Sequence, residues 1–479
     1  MNKYYQKYKQ LPIQGRATIC YTLCNILQRG ISIITIPAYT SIMTTEEYGV
    51  YGVFLSWLEI FEIIATFRLA WGGFVVGLTK YEDDRDSYCS SMHSLSFTIT
   101  SICLVVYLCL AEWINGLTKM TTSMTLLLFG LLYVLPAIQF WTVRRRVEYR
   151  YTAVLLVTVI SSFLMPVLGV AAALLSDDKV LAVIGSRTLV QGVIGCVLIW
   201  LSCRKKFTFY HKEYWKRALA FNVPLLPHYL STVALHSSDR IIIGELAGEE
   251  KVAIYMVAYS ASMAMQLFGT SISQSLQPWL FKKLKDQSYD GIGKTISLSL
   301  IGVAGLNLLL IALAPEVIAI LPAAYQEAVW IIPPLAATVV VIFFYQHFVN
   351  VEFYFEESKM TSYASAGAAL MNIGLNFLLI PVFGYLAAGY TTLASYMLFA
   401  VIHYIFMKKV CRKNNCPDNI FNIHSMLLIM LIFGMITVVM SIGYRIMWIR
   451  FVALFIIVMI AFLQRKRILS FVKDFMKNK

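Results

Sequence analysis

The chain has 479 residues, of which 59% are hydrophobic and 14% are charged, and its mean hydropathy is +0.69. A charged fraction about half that of soluble domains excludes an ordinary soluble globular protein and indicates a membrane protein. The net charge of +14 does not indicate nucleic-acid binding. The basic residues lie in short gaps between apolar runs, where the anionic inner leaflet and its lipids are the expected partners.

Apolar runs long enough to cross a bilayer recur along the whole chain. A hydrocarbon core about 30 Å thick needs roughly 20 helical residues at about 1.5 Å each. In chain order, this criterion predicts fourteen spans: 17–43, 48–73, 88–112, 121–143, 152–175, 180–202, 219–245, 252–276, 295–321, 330–354, 362–383, 387–407, 424–444 and 448–464. The predicted fold is therefore an all-α polytopic membrane protein with about 14 transmembrane helices.

Lysine and arginine concentrate in every second gap between these runs. One such gap contains Arg144, Arg145 and Arg146, whereas the alternate gaps contain isolated residues such as Lys119 and Lys179. Cytoplasmic loops of membrane proteins carry an excess of Lys and Arg. The pattern predicts a multi-pass protein with its N- and C-termini in the cytoplasm.

A short internal similarity divides the chain. Residues 46–56 can be laid on 250–260, with Glu, Tyr, Val and Ser coinciding at one offset. The alternative is chance similarity between apolar segments. Read as a true parallel repeat, the match predicts an N-terminal six-helix lobe at 12–206 and a C-terminal six-helix lobe at 215–410, followed by two additional helices at 420–466. Such repeats are typical of transporters whose site lies between the lobes.

Polar side chains form stripes on four of the predicted helices. Exposing such stripes to the hydrocarbon core has a high free-energy cost, so they are expected to face other helices or water. Hydrogen bonds between helices, each worth about 1 kcal/mol, are one interpretation. Their occurrence in both halves favours the other, a water-filled cavity. The residues predicted to line it and bind substrate are Arg29, Asn25, His228, Asn372 and Asn376.

Several charged residues lie at membrane depth. Arg29 is roughly 18 Å into the first span, where an unpaired charge costs at least about 2.5–3.5 kcal/mol. Glu59 and Glu62 reach similar depth from the other side, so Arg29 and Glu59 are predicted to form an ion pair. Arg29 can also offer a bidentate donor fork to an anionic headgroup. Asp239 and Arg240, near the outer end of the seventh span, are predicted to be an interfacial pair or a gate.

Two motifs that suggest other chemistry are set aside. Gly291–Thr295 is similar to the end of a phosphate-binding loop, but Ser288 occupies the position of its first glycine. Cys411 and Cys416 have no further Cys or His at metal-site spacing. Neither a cofactor nor a metal site is expected.

Three stretches of sequence are similar to a known family. They are residues 36–49, the pair 224–228 with 238–244, and the run from 372 to 392 that contains Asn372-Ile373-Gly374-Leu375-Asn376. They resemble the bacterial polysaccharide flippases, which are lipid-linked oligosaccharide transporters of the multidrug/oligosaccharidyl-lipid/polysaccharide exporter superfamily. The stretches are distributed over nearly the whole chain.

This resemblance implies two six-helix lobes that open alternately to the cytoplasm and the periplasm of the bacterial inner membrane. It also implies a cationic cavity for an undecaprenyl-diphosphate-linked oligosaccharide, with Arg29 as the best match to that role. Glu59 and Glu62 depart from a purely cationic cavity and could bind a coupling H⁺ or Na⁺. A cation-coupled drug exporter of the same superfamily is the alternative. A membrane enzyme is not expected, because no extracytoplasmic gap is large enough to hold catalytic groups.

Overall fold

The computed structural model describes residues 13–357 and 359–463, and within these ranges the chain is helical, without β-strands. Fourteen helices there have 17 residues or more. They are α1 (Ile13–Ile42), α2 (Thr45–Thr66), α3 (Arg85–Cys109), α4 (Thr122–Val147), α5 (Tyr151–Leu175), α6 (Lys179–Cys203), α7 (Leu226–Ala247), α8 (Glu249–Lys285), α9 (Ile292–Ala312), α10 (Ile332–Tyr354), α11 (Lys359–Phe383), α12 (Ala387–Lys413), α13 (Ile423–Ile442) and α14 (Met447–Leu463).

Each predicted span overlaps one of these helices, which confirms the all-α polytopic fold class. Twelve helical segments of the described chain are long and apolar enough to cross a membrane. α1 and α14 are not among them. α1 is 30 residues long but includes the polar stripe with Asn25 and Arg29, and α14 has 17 residues. The protein is therefore a multi-pass membrane protein, and spanning by α1 and α14 remains a prediction.

The chain divides into two compact units, one up to Ser237 and the other from Ser238 onward. This boundary falls inside α7, whereas the sequence predicts it between 206 and 215. The segment after α6 explains the difference, because it packs within the N-terminal unit. The Tyr214 and Tyr81 rings are in contact, with centroids 4.6 Å apart and planes tilted by 55°, and the Trp215 indole donates to the backbone oxygen of Ser91 at 3.2 Å. The parallel repeat between lobes remains a prediction.

Helix α2 begins and ends at well-defined signals. At its start, the Thr44 side chain accepts from the Glu47 backbone N–H at 3.1 Å, and the Glu47 carboxylate accepts from the Thr44 N–H at 2.7 Å. This capping box allows a tight turn after α1. At its end, Phe67 and Arg68 adopt left-handed φ values of 51° and 46°. The predicted span to residue 73 was wrong here, because the helix stops at Thr66.

Helix α10 is buried along most of its length and forms the centre of the C-terminal unit. The last two helices pack on this unit through α9. The Tyr444 hydroxyl donates to the Ile311 backbone oxygen at 2.9 Å, and the Arg450 guanidinium donates to the Ala312 oxygen at 2.7 Å and to Glu316 at 2.8 and 3.0 Å. The two additional helices are thus anchored to helix α9 and the segment that follows it.

Replacing Arg450 with Met should destabilise the C-terminal unit by about 1–3 kcal/mol, because hydrogen bonds to charged groups contribute about this much. The Arg450 bonds hold the pKa of Glu316 below its usual range. The stabilisation from these bonds is present at pH values above the pKa of Glu316 in the unfolded chain. It is lost as the pH falls through the lower pKa that Glu316 has in the folded protein. Thermal unfolding in detergent, at neutral and acidic pH, measures this effect. Arg445→Met, which removes an exposed cation, is the control; equal unfolding temperatures for the two variants would contradict the anchor.

Candidate functional site: buried and exposed ionisable groups of the two units

Arg29 lies near the middle of α1 with its side chain exposed, and Asn25 is exposed one turn before it. No ion pair within 4.0 Å engages Arg29 in residues 13–357 and 359–463. Its guanidinium therefore keeps its N–H donors available, and an arginine fork matches the geometry of phosphate oxygens. An exposed arginine on a helix of a membrane protein requires an anionic or aqueous neighbour.

The predicted ion pair between Arg29 and Glu59 does not form in the described part of the chain. Glu59, on α2, is half-buried and instead accepts a hydrogen bond from the Ser237 hydroxyl of α7. Similar depth made the ion pair plausible, but depth along two helices does not fix which faces meet. Glu59 is thus an acidic side chain with a neutral partner.

Glu62 has a neutral partner as well. Its carboxylate accepts from the Gln139 side-chain amide of α4 at 2.6 Å. An amide donor stabilises the carboxylate without neutralising its charge. Glu59 and Glu62 therefore both retain the capacity to bind a cation.

Arg68 is a further cationic side chain of the N-terminal unit. It follows the break at the end of α2, and its guanidinium lies 4.8 Å from the Trp71 ring centroid and 5.5 Å from that of Tyr229. His228 directly precedes Tyr229, so this part of α7 lies next to the break. The pair Gly72-Gly73 is the sequence signal that could have indicated the irregular segment.

Asp239 is the most extensively bonded acidic residue of the C-terminal unit, and its side chain is fully buried. One carboxylate oxygen accepts from the Asn376 amide at 2.6 Å. The other accepts from the Tyr255 hydroxyl at 2.5 Å and from the Thr392 hydroxyl at 2.7 Å. The donors come from α8, α11 and α12, so one carboxylate joins four helices.

A second layer of polar groups surrounds this carboxylate. Asn372 accepts from Asn376 at 3.3 Å and from Ser238 at 3.1 Å, and its amide donates to Thr392 at 3.4 Å. The Thr391 hydroxyl donates to the Asn376 side-chain oxygen. The Asp239 cluster is defined here as Asp239, Tyr255, Asn372, Asn376, Thr391 and Thr392. Its six members supply oxygen atoms and no cationic side chain.

Two sequence predictions change with this geometry. Asn372 and Asn376 are fully buried members of the Asp239 cluster, so in this conformation they are not exposed cavity-lining groups. Asp239 precedes the end of α7 by eight residues, about 12 Å along the helix, and its predicted place at the membrane interface or in a gate stays a prediction. Arg240 does not pair with Asp239 among the described residues; its guanidinium lies 5.0 Å from the Tyr259 ring centroid.

The cluster has a clear electrostatic requirement. An ionised Asp239 with only neutral donors is a buried net charge, which is costly in the interior of a protein. A bound proton or monovalent cation removes that charge, and oxygen atoms are the ligands that hard cations prefer. The Asp239 cluster is therefore suited to binding H⁺ or Na⁺. Tyr255, Thr391 and Thr392 were not predicted as site residues, although each lies in a stretch that the sequence analysis singled out.

Solved structures of transporters share this fold. The chain is similar to the lipid II flippase MurJ in an inward closed conformation, with a TM-score of 0.68 and 14% identity over 94% of this chain and 100% of that one. It is also similar to an inward-facing multidrug resistance MATE family transporter of the MOP superfamily, with a TM-score of 0.61 and 14% identity over 81% of this chain and 96% of that one.

A third similar structure is a MOP superfamily transporter from Pyrococcus furiosus, described as having a binding pocket of reverse polarity. Its TM-score is 0.55, with 14% identity over 84% of this chain and 96% of that one. At such identities the likeness establishes the fold and leaves the substrate open. No curated protein matches the chain.

The sequence carries the family assignment. The polysaccharide biosynthesis protein family matches residues 15–284, which is more than half of the chain. This range includes two of the three stretches in which the sequence resemblance was found, 36–49 and 224–228 with 238–244; the third, 372–392, lies outside it. The chain therefore belongs to the polysaccharide biosynthesis protein family and has the fold of MOP superfamily transporters.

Proposed function

We propose that the protein flips undecaprenyl-diphosphate-linked oligosaccharide repeat units from the cytoplasmic to the outer leaflet, for surface polysaccharide biosynthesis. The family assignment supports polysaccharide synthesis as the context. The observation that carries the proposal is Arg29, an exposed arginine on α1 without an ion-pair partner among the described residues. Its fork would bind the diphosphate of the substrate. The protein acts as a carrier and not as an enzyme, because flipping breaks no covalent bond.

We further propose that transport is coupled to a cation at the Asp239 cluster. The support is a fully buried carboxylate held by hydroxyl and amide donors alone. Binding of H⁺ or Na⁺ would neutralise Asp239 and favour the packing of α7, α8, α11 and α12 around it. If the cation binds this packed state more tightly than other conformations, it shifts the population toward the packed state, and the shift in free energy equals the difference in binding free energy.

A cation-coupled exporter of small molecules is the second candidate. The half-buried Glu59 and Glu62 favour it, because their neutral partners leave two negative charges in the N-terminal unit. A cationic drug would be attracted by such charges, whereas a lipid diphosphate would be repelled by them. The two functions therefore require opposite ligand charges.

Ligand-induced thermal stabilisation of the purified protein distinguishes these functions. Undecaprenyl diphosphate should raise the unfolding temperature, because a ligand that binds only the folded state stabilises it. Undecaprenyl phosphate, with one phosphate fewer, is the matched control and should stabilise less. Stabilisation by lipophilic cations, with no effect of either lipid, would favour the exporter instead.

For topology, we propose the bacterial inner membrane with both termini in the cytoplasm. Single cysteines introduced into a cysteine-free variant test this orientation. A membrane-impermeant thiol reagent added outside should label Thr45→Cys and Asp178→Cys, because these positions lie in gaps that are poor in Lys and Arg. Arg145→Cys and Lys283→Cys should react only after permeabilisation. The reverse pattern would place the termini outside.

A further inference from the structure

A second buried acidic residue of the C-terminal unit contacts a histidine. Glu352, near the end of α10, and His403, on α12, have side chains that are 1% and 0% exposed. The His403 Nδ1 lies 2.9 Å from one carboxylate oxygen and 3.0 Å from the other. His403 follows Thr392 by eleven residues, about 16 Å along the helix, so the pair is separate from the Asp239 cluster.

One proton decides the net charge of this pair. An ionised Glu352 beside a neutral His403 carries one negative charge. With one further proton the pair is neutral, whether that proton makes an imidazolium or a carboxylic acid. Because an uncompensated buried charge is strongly disfavoured, burial stabilises the protonated pair in this conformation.

The surroundings provide no other compensating charge among the described residues. The Glu352 carboxylate contacts His403 through both of its oxygens, and the Thr361 hydroxyl of α11 is buried without a hydrogen-bond partner in the described ranges. The Tyr345 ring of α10 stacks on the imidazole with centroids 5.8 Å apart. From α8, Gln277 donates to Asn350 instead.

The charged side chains that the structure describes toward the same end of these helices are engaged with one another or exposed. Lys413 pairs with Glu357, and Asp418 forms ion pairs with Lys408 and Arg412. Lys294 of α9 and His424 of α13 are exposed. The charge of the pair is therefore set by its own proton.

We propose that Glu352 and His403 form a proton-binding site that exchanges one proton with water. Glu352 and the His403 Nδ1 share the proton across their 2.9 Å contact. The His403 Nε2 is buried and has no hydrogen-bond partner in the described ranges, so it is the atom through which the ring gains or loses a proton when water reaches it. The site is separate from the Asp239 cluster, because His403 and Thr392 lie about 16 Å apart along α12.

The state of Nε2 reports proton binding without ambiguity. In the deprotonated pair, Nδ1–H donates to the carboxylate and Nε2 is bare. In the protonated pair, Nε2 carries a hydrogen whether the ring is an imidazolium or accepts at Nδ1 from a carboxylic acid. A change at Nε2 with pH is therefore a change in occupancy of the site.

¹⁵N nuclear magnetic resonance of histidine-labelled protein in lipid bilayers measures this state directly, without substrate. The His403 signal is assigned by its loss in His403→Gln. Between about pH 5 and about pH 9, a range that contains ordinary histidine titration, Nε2 should be protonated at the acidic end and bare at the basic end. In Glu352→Gln, which keeps the shape but not the charge, the pH dependence should disappear.

His347 is the matched control, because its ring is also fully buried on α10 but has no carboxylate partner. Its signals should not change with pH in wild type or in Glu352→Gln, and their persistence shows that the variant is folded. If the His403 Nε2 keeps the same protonation state over the whole pH range of the experiment, the proposal is overturned. A pH response of His403 that survives in Glu352→Gln would also overturn it. The result does not depend on transport, so it stands or fails separately from the flippase function.

Discussion

Replacement of Arg29 with alanine is expected to abolish surface polysaccharide while the protein still inserts into the membrane. Arg29 is exposed and has no ion-pair partner within residues 13–357 and 359–463, so its removal leaves no carboxylate uncompensated. Loss of a charged hydrogen-bonded contact costs about 2–5 kcal/mol, which corresponds to a decrease in substrate affinity of roughly 30-fold or more. Arg29→Lys should recover only part of this affinity, because an ammonium group cannot make the two-toothed contact.

Glycan at the cell surface and protein in the membrane fraction are the two quantities to measure for Arg29. Arg445→Ala is a suitable control, since it removes an exposed cation from the short segment before α14 and should leave glycan unchanged. Wild-type glycan levels in Arg29→Ala would exclude Arg29 as the diphosphate ligand.

Asp239→Asn is expected to remove the dependence of the protein on its coupling cation. The asparagine retains one oxygen for the surrounding donors but places an amide against Asn376, Tyr255 or Thr392, all of which donate to the carboxylate. In wild type, a cation at about 100 times its Kd stabilises the folded state by about 2.7 kcal/mol. In the variant this increment should disappear, and gradient-driven transport should fall at least about tenfold.

Unfolding temperature measured against Na⁺ concentration and against pH identifies the cation at Asp239. Stabilisation by Na⁺ at constant pH supports a sodium site, whereas stabilisation that follows pH alone supports a proton site. Glu250→Gln is the control, because Glu250 is an exposed acid on α8 outside the cluster and should leave either response intact. An Asp239→Asn variant that keeps the wild-type cation response would remove Asp239 from the coupling mechanism.

Much of the fold could be predicted from the sequence because membrane spans have a strong physical signature. A run of about 20 apolar residues is typical of a transmembrane helix and is rare in soluble proteins. Each of the fourteen predicted runs overlaps a helix of the structure. The end of α2 was missed because apolarity continues past Thr66, while the chain direction changes at Phe67 and Arg68. The sequence predicts two additional helices but not how they are attached, because the contact of Arg450 with Glu316 joins residues far apart in sequence.

The candidate site was less accessible to sequence reasoning. Residue types identified Asp239, Asn372 and Asn376, but not that Asp239 contacts Asn376, since the arrangement of α7 and α11 brings these two side chains together. Depth alone suggested an ion pair between Arg29 and Glu59, whereas the rotation of each helix about its axis decides which side chains meet. Neighbours within one helix turn can be read from spacing; partners on other helices depend on packing that no local pattern specifies.

Transport of an undecaprenyl-diphosphate-linked oligosaccharide in proteoliposomes, with and without an imposed H⁺ or Na⁺ gradient, tests the proposed function most directly. Wild-type protein should move the glycan across the bilayer faster when the gradient is present, Arg29→Ala should not move it, and Asp239→Asn should show no gradient effect. Wild-type protein that leaves the lipid-linked glycan on its original side under every gradient, yet moves a cationic drug, would contradict a flippase and assign the chain to small-molecule export.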